Sequence, residues 1–129
     1  MNFNEILTDY CTSKAEIVLA FHFGSSMKGE EGFASDVDLG VVTNVSLDST
    51  LKQTIMEEIS ILVHRPVDLI DLSSANGSIL EEIICRGQII VNKDPVIYEN
   101  LIKKQIYYDA DFKPLHEKMM RGRLDKMFS

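Results

Sequence analysis

Apolar residues recur along the chain in two periods, one typical of strands and one typical of helices. Short runs rich in β-branched and aromatic residues predict four strands, at residues 16–23, 36–43, 67–72 and 88–92. Longer segments with apolar residues at helical spacing predict helices at residues 2–14, 46–65 and 73–87, and from residue 94 to the end. The candidate caps are Asn2 or Asn4 for the first helix, Ser46 or Asp48 for the second, and a Ser or Asn of "SSAN" for the third. Residues 24–35 are polar, contain three glycines and predict a loop.

The order of these segments predicts the fold class. Strands alternate with helices, so we expect an α/β or α+β domain with one small central sheet flanked by helices. The loop over residues 24–35 is too short for a full crossover helix, which a parallel connection usually needs. The first two strands are therefore predicted to run antiparallel, and the sheet to be mixed. The 129 residues predict a single domain, with a core over 1–93 and a helical tail over 94–129.

Charge is distributed unevenly between core and tail. The net charge is −7, and residues 1–93 hold 14 acidic but only 6 basic residues. Residues 94–129 hold 7 basic and 6 acidic residues. An extended nucleic-acid surface needs a basic stripe, so the acidic core argues against one. A bound nucleotide remains compatible with the core, because metal ions can reverse the local sign of the charge.

The N-terminal sequence, the length of the apolar runs and the cysteine spacing predict a cytoplasmic location. The N-terminus lacks the basic start and apolar stretch of a signal peptide, and no apolar run reaches the ~18 residues of a membrane span. Cys11 and Cys85 show no metal-site spacing, and we interpret them as small buried side chains. We therefore expect no membrane association and a reducing cytoplasmic environment.

Two carboxylates interrupt the second apolar strand in the segment "FGSSMKGEEGFASDVDLGVV". Alternate residues of a strand share a face, so Asp36 and Asp38 should lie on one side, about 7 Å apart. Uncompensated buried carboxylates are costly unless they pair or bind metal. Oxygen donors with no His or Cys nearby favour Mg²⁺ or Mn²⁺ over Zn²⁺. The pair therefore predicts a site for one or two divalent cations.

A phosphate-binding turn is predicted just before this pair. Gly24 lets the backbone approach a phosphate closely, the Ser25 hydroxyl adds a donor, and Lys28 adds positive charge. A third carboxylate is expected from "VDLIDL", in which Asp68 and Asp71 must face opposite ways on a regular strand. Only one of the two can join the site.

Each of these motifs also has an ordinary structural explanation. The aspartate pair, like Asp68, is compatible with solvated carboxylates near a strand end. Gly24 and Ser25 are compatible with a simple turn. Asp71 is more typical of a helix or turn cap before "SSANGS" than of a ligand. His22, in the first strand, is more typical of a satisfied structural histidine than of a catalytic one.

The Gly-Ser pair, ten residues and then Asp-Val-Asp resemble the signature of the DNA polymerase β nucleotidyltransferase superfamily. The short length, "RPVDLIDL", "EEIICRGQIIV" and the tail with "YYDADFKP" resemble the minimal nucleotidyltransferases, from about Ile17 onward. The resemblance implies a polymerase-β-like nucleotidyltransferase fold. It also implies site roles: nucleotide binding by Gly24 and Ser25, and catalysis and metal binding by Asp36, Asp38 and Asp68. Lys28 departs from the family, whose members often carry Arg there.

The resemblance also implies a function. Minimal nucleotidyltransferases act as antitoxins to HEPN-domain ribonuclease toxins, so the implied reaction is transfer of AMP from ATP to a toxin tyrosine, with two Mg²⁺ ions (or Mn²⁺). The alternative is a binding module that masks its partner by stoichiometric contact, without catalysis. The tail from Asp94 to Ser129 carries Tyr107, Tyr108, Phe112 and most of the basic residues. Such residue types are enriched at interfaces, so the tail is expected to contribute to the partner surface.

Overall fold

The structure is a computed structural model that describes residues 2–24 and 36–108. Within these residues the elements follow the predicted order of helices and strands. They are α1 (Phe3–Ser13), β1 (Ile17–Phe23), β2 (Val37–Thr43), α2 (Ser49–Val63), β3 (Val67–Asp71), α3 (Gly77–Arg86), β4 (Gln88–Asn92) and α4 (Pro95–Tyr108). The predicted phosphate-binding residues Ser25 and Lys28, and the tail beyond residue 108 with Phe112, lie outside the described residues.

The four strands form one mixed sheet in the order β3-β2-β1-β4. β1 is antiparallel to both β2 and β4, whereas β2 and β3 are parallel and joined through α2. The predictions of a mixed sheet and of an antiparallel first pair are confirmed. The topology also fixes which strand ends meet: the C-terminal end of β1 lies beside the N-terminal ends of β2 and β3.

Capping residues set where α1 and α2 begin and end. The Asn2 side chain accepts a hydrogen bond from the Glu5 N–H at 2.9 Å and begins α1. Asp48, one of the two candidate caps of α2, accepts from the Leu51 N–H at 2.8 Å, so α2 begins at Ser49. His64 closes α2 in the left-handed conformation, with φ of 58°, two residues before Pro66.

Two apolar cores lie on opposite faces of the sheet, giving a helix–sheet–helix sandwich. The first core joins the sheet to α1 and α2 through the buried residues Leu7, Cys11, Ile17, Ala20, Val37, Leu39, Val41, Ile55, Ile59, Val67 and Leu69. The second joins it to α3 and α4 through Leu19, Phe21, Phe23, Val42, Leu72, Leu80, Ile83, Ile84, Tyr98 and Leu101. Burying both faces explains why the strands read as nearly continuous apolar runs.

Cys11 is buried as predicted, whereas Cys85 is only half-buried. Among the described residues, neither cysteine is part of a disulfide. Burial raises the pKa of the Cys11 thiol to about 11. Across residues 2–24 and 36–108, each helix is too short or too polar to cross a membrane.

Candidate active site

Three acidic residues meet at one end of the sheet. In the parallel register of β2 and β3, Asp38 is level with Asp68. In the antiparallel register with β1, Asp38 is also level with Phe23, the residue before Gly24. Asp36 immediately precedes β2. The topology therefore brings together Asp36, Asp38, Asp68 and Gly24, all of which the sequence singled out.

The two strand aspartates share one face of the sheet. Val37 and Leu39 flank Asp38, and both are buried in the first core, under α1 and α2. Val67 and Leu69 flank Asp68 and are buried in the same core. Because side chains alternate along a strand, Asp38 and Asp68 both lie on the opposite face, which α3 and α4 cover further along.

Asp38 is the electrostatically strained member of this group. It is half-buried, whereas Asp36 and Asp68 are exposed. Burial raises the pKa of Asp38 above its usual value, and the negative charges of Asp68 and Asp36 raise it further. Within the described part of the chain, no hydrogen bond or ion pair compensates any of the three carboxylates. Among residues 2–24 and 36–108, the site thus concentrates negative charge without a compensating cation.

Gly24 is fitted closely against this carboxylate cluster. Its backbone has φ of +81°, in the region that favours glycine. A Cβ built at this position would clash with the Asp38 side-chain oxygen Oδ2. Both the backbone conformation and the lack of space therefore require glycine where β1 ends. The phosphate-binding role predicted for Gly24 and Ser25 stays a prediction, and Ser25 lies outside the described residues.

Asp71, the other candidate from "VDLIDL", lies away from the cluster. It ends β3 level with Val41, a residue of the first core. Its carboxylate accepts hydrogen bonds from the Ser73 N–H at 3.0 Å and from the Ser73 hydroxyl at 2.5 Å. Ser73 therefore belongs to this turn, and α3 begins later, at Gly77, with Asn76 as its N-cap residue. The prediction that Asp71 caps a turn is confirmed.

His22 lies on the α1 side of the sheet. Its side chain is buried, and its ring centroid is 5.5 Å from that of Phe3 in α1. The Arg65 guanidinium in turn lies over the Phe3 ring, 5.2 Å from its centroid. This packing agrees with the structural role predicted for His22.

The donor set at the cluster is compatible with a hard divalent cation. Asp36, Asp38 and Asp68 offer only carboxylate oxygens, the ligands that Mg²⁺ and Mn²⁺ prefer. Asp38 and Asp68 are level on adjacent strands, so one cation can lie between their side chains. Over residues 2–24 and 36–108, however, no group of three or more His, Cys, Asp or Glu side chains is already arranged to hold a metal ion. The compatibility with a divalent cation therefore rests on the carboxylate donors and on the pairing of Asp38 with Asp68.

The fold is similar to chains of several solved toxin–antitoxin complexes. One chain comes from a toxin–antitoxin crystallised with AMP-PNP, with TM-score 0.69 and 19% identity over 92% of this chain and 99% of that one. A second comes from a tri-AMPylated Shewanella oneidensis HEPN toxin in complex with MNT antitoxin, with TM-score 0.62 and 20% identity over 91% and 96%. A third comes from MntA–HepT, with TM-score 0.60 and 19% identity over 91% and 95%.

These likenesses show the fold, and a family match shows the superfamily. No curated protein sequence matches the chain. Residues 5–96 match the family model described as "Polymerase beta, Nucleotidyltransferase". The match covers well over half of the chain and contains Gly24, Asp36, Asp38 and Asp68. The chain therefore belongs to the polymerase β nucleotidyltransferase family.

Proposed function

We propose that this protein is a protein adenylyltransferase that moves AMP from ATP to a tyrosine of a HEPN-domain ribonuclease toxin and thereby acts as its antitoxin. The observation that carries the proposal is the pairing of Asp38 with Asp68 on one sheet face, directly beside Gly24. The nucleotidyltransferase family supplies the reaction class. Similar folds crystallised with AMP-PNP, and with a tri-AMPylated HEPN toxin, support ATP as the donor and such a toxin as the acceptor.

The proposed reaction needs an acceptor oxygen, a nucleotide and charge compensation at one place. The tyrosine oxygen attacks the α-phosphorus of ATP, a new O–P bond forms, and the bond to the β-phosphate breaks to release pyrophosphate. Asp68 accepts the hydroxyl proton, as a carboxylate positioned beside the acceptor. Gly24, which has no side chain, lets the β- and γ-phosphates lie close to the end of β1.

Asp36, Asp38 and Asp68 would hold the two Mg²⁺ ions, for which Mn²⁺ can substitute. Bound there, Mg²⁺ would neutralise phosphate charge and stabilise the attacking and leaving oxygens. The raised pKa of Asp38 reflects burial first and then the like charges of Asp68 and Asp36. The same negative field repels a triphosphate, so nucleotide binding should depend on a divalent cation.

The partner surface is proposed to include the C-terminal part of the chain, and the location to be the cytoplasm. Tyr107 on α4 has 77% of its side chain exposed, as an interface residue would before its partner binds. The segment that follows residue 108 holds five of the seven basic residues of the tail. Basic and aromatic residue types are enriched at interfaces, and this composition supports a role of the segment in binding the partner.

Modification of the partner is the decisive test. The protein would be incubated with the HEPN-domain partner, ATP and Mg²⁺, and the partner's intact mass and ribonuclease activity would be followed. We expect the partner to gain adenylyl groups and lose ribonuclease activity. Calorimetry should show ATP binding in Mg²⁺ and little binding in EDTA. Equal ATP affinity in EDTA would contradict a metal-dependent site.

The same experiment distinguishes adenylyl transfer from the alternative, in which the protein masks its partner without catalysis. One observation favours it: the described side chains do not form a ready group of three metal ligands. Masking predicts loss of ribonuclease activity with no change in the partner's mass, and no requirement for ATP. That result would overturn the proposed reaction and leave the antitoxin assignment standing.

A further inference from the structure

Arg86, which the proposed reaction does not use, lies at the same end of the sheet as the carboxylates. It is the last residue of α3 and is exposed. β4 begins two residues later at Gln88, which is level with His22 in the antiparallel register with β1. Gly24 follows His22 by two residues, so the chain around Arg86 lies beside the Gly24 end of β1.

Gly87 holds the end of α3 against β1. Its N–H donates to the Ile83 carbonyl at 2.9 Å and closes the last turn of α3. A Cβ built at Gly87 would lie 2.5 Å from the Ile83 carbonyl oxygen and 3.4 Å from that of His22. The last turn of α3 therefore sits directly on the β1 backbone, which fixes the position from which the Arg86 side chain extends.

Arg86 belongs to the sheet face that carries the strand aspartates. α3 buries Leu80, Ile83 and Ile84 in the second core. Asp38 and Asp68 lie on this same face, as shown above. Neighbouring strands are about 4.8 Å apart, so β4 is about 10 Å from β2, with β1 between them. The order across this end of the sheet is therefore Asp68, Asp38, Gly24 and then Arg86.

Three other basic side chains in the described part of the chain have contacts elsewhere. Lys14 pairs with Glu58, Lys93 donates to the Lys14 carbonyl, and Lys104 donates to the Ser73 carbonyl beyond the far end of β3. No hydrogen bond or ion pair among residues 2–24 and 36–108 engages Arg86. Its planar guanidinium presents several N–H donors in a geometry that matches phosphate oxygens.

We propose that Arg86 binds the β- and γ-phosphates of the nucleotide from the side of Gly24 opposite the carboxylates. This inference rests on the proposed function and names a residue of that same site. The triphosphate would lie across the end of β1, between the carboxylate cluster and the guanidinium. Arg86 would then stabilise the negative charge that develops on the leaving pyrophosphate. This interaction would stabilise the transition state as well as the bound nucleotide.

The test compares nucleotides that differ only in their terminal phosphates. Affinities for ATP and AMP in Mg²⁺ would be measured by calorimetry for the wild type, Arg86→Ala and Arg86→Lys. We expect Arg86→Ala to weaken ATP binding about tenfold or more, because a charged hydrogen-bonding partner is lost. AMP binding should change less than about twofold by the same reasoning. Arg86→Lys should be intermediate, since it keeps the charge and loses the fork.

Lys103→Ala is the matched control. Lys103 is also exposed, but it lies on α4 next to Lys104, whose contact with Ser73 is at the opposite end of the sheet. The Lys103→Ala substitution removes the same charge and should leave the affinities for ATP and AMP unchanged. Melting temperatures should show that all variants fold. Unchanged ATP affinity in Arg86→Ala, or an equal loss for AMP, would overturn the role of Arg86. A wild type that binds no ATP would instead overturn the proposed function itself.

Discussion

Asp68 and Asp71 lie near opposite ends of the five-residue strand β3, and their surroundings differ in kind. The Asp71 carboxylate accepts two hydrogen bonds from Ser73. Asp68 is level with Asp38 and adds a like charge to it. A carboxylate with its own donors is explained by local structure, because it caps a turn. A cluster of like charges without donors is costly to the fold, and that cost is typical of functional sites.

Glu58, an acidic residue on the α1–α2 surface, resembles Asp71 rather than Asp68 because it has hydrogen-bond donors. Glu58 on α2 accepts hydrogen bonds from the Tyr10 hydroxyl at 2.6 Å and from Lys14 Nζ at 3.1 Å. These contacts lower the pKa of Glu58, the Tyr10 hydrogen bond being the largest cause. Burial and the same hydrogen bond raise the pKa of Tyr10. Where this molecule uses acidic residues for structure, it supplies donors for them.

The double substitution Asp36→Asn with Asp38→Asn should have the largest effect on activity and should not destabilise the fold. Transfer of AMP is expected to be abolished, because two of the three carboxylates of the site are lost. The melting temperature should stay the same or rise, since removing like charges relieves repulsion. Mass spectrometry of the partner and thermal unfolding would measure the two effects. A large fall in melting temperature would mean that the pair is structural.

Asp68→Ala and Asp71→Ala should separate the two ends of β3. Asp68→Ala is expected to lower the transfer rate about 100-fold or more, the scale of a lost acid–base group. Asp71→Ala should leave the rate within a few fold and lower the free energy of unfolding by about 1 kcal/mol, as a lost cap does. Rates and urea unfolding would be measured for both variants. The reverse ranking would show that the third carboxylate is Asp71.

Glu58→Gln should have the smallest effect, confined to stability. The lowered pKa of Glu58 means that its contribution is present above its ordinary value of 4.5 and is lost as the pH falls through the lowered value. At pH 7 the substitution should lower the free energy of unfolding by about 0.5 kcal/mol, because the pair is partly exposed. Urea unfolding should give wild type and variant the same stability once the pH is below the lowered pKa. A difference that persists there would point to packing rather than charge.

Sequence reasoning located most of the fold because each element carries a local signal. Strand runs, helical periods and caps predicted the element order. Of the two candidate caps of α2 the structure uses Asp48, and α3 begins after Asn76, because the Asp71 turn takes up Ser73. Strand alternation also predicted that Asp68 and Asp71 cannot share a site, and the parallel register places Asp68 beside Asp38.

The remaining features depend on contacts between distant parts of the chain. No local pattern indicates which helices cover which face of the sheet, and that choice puts α3 on the side of Asp38. Arg86 gave no signal in the sequence, since it lies about 60 residues from Gly24 and meets it only through the pairing of β1 with β4. The fit of Gly24 against Asp38 likewise needs the register of β1 with β2.

The strand order places the connections of the chain at two opposite ends of the sheet, which we call its two poles. The C-terminal end of β1, the N-terminal end of β2 and the links from α2 to β3 and from α3 to β4 lie at the pole of the carboxylates, and the last link is the single residue Gly87. The links into β1, and from β2, β3 and β4 to the next helices, run at the other pole. Insertions at that pole, for example within residues 44–47, lengthen surface turns away from the carboxylates. The domain can therefore diversify in length, or accept a fused module, at one pole while the other keeps its chemistry.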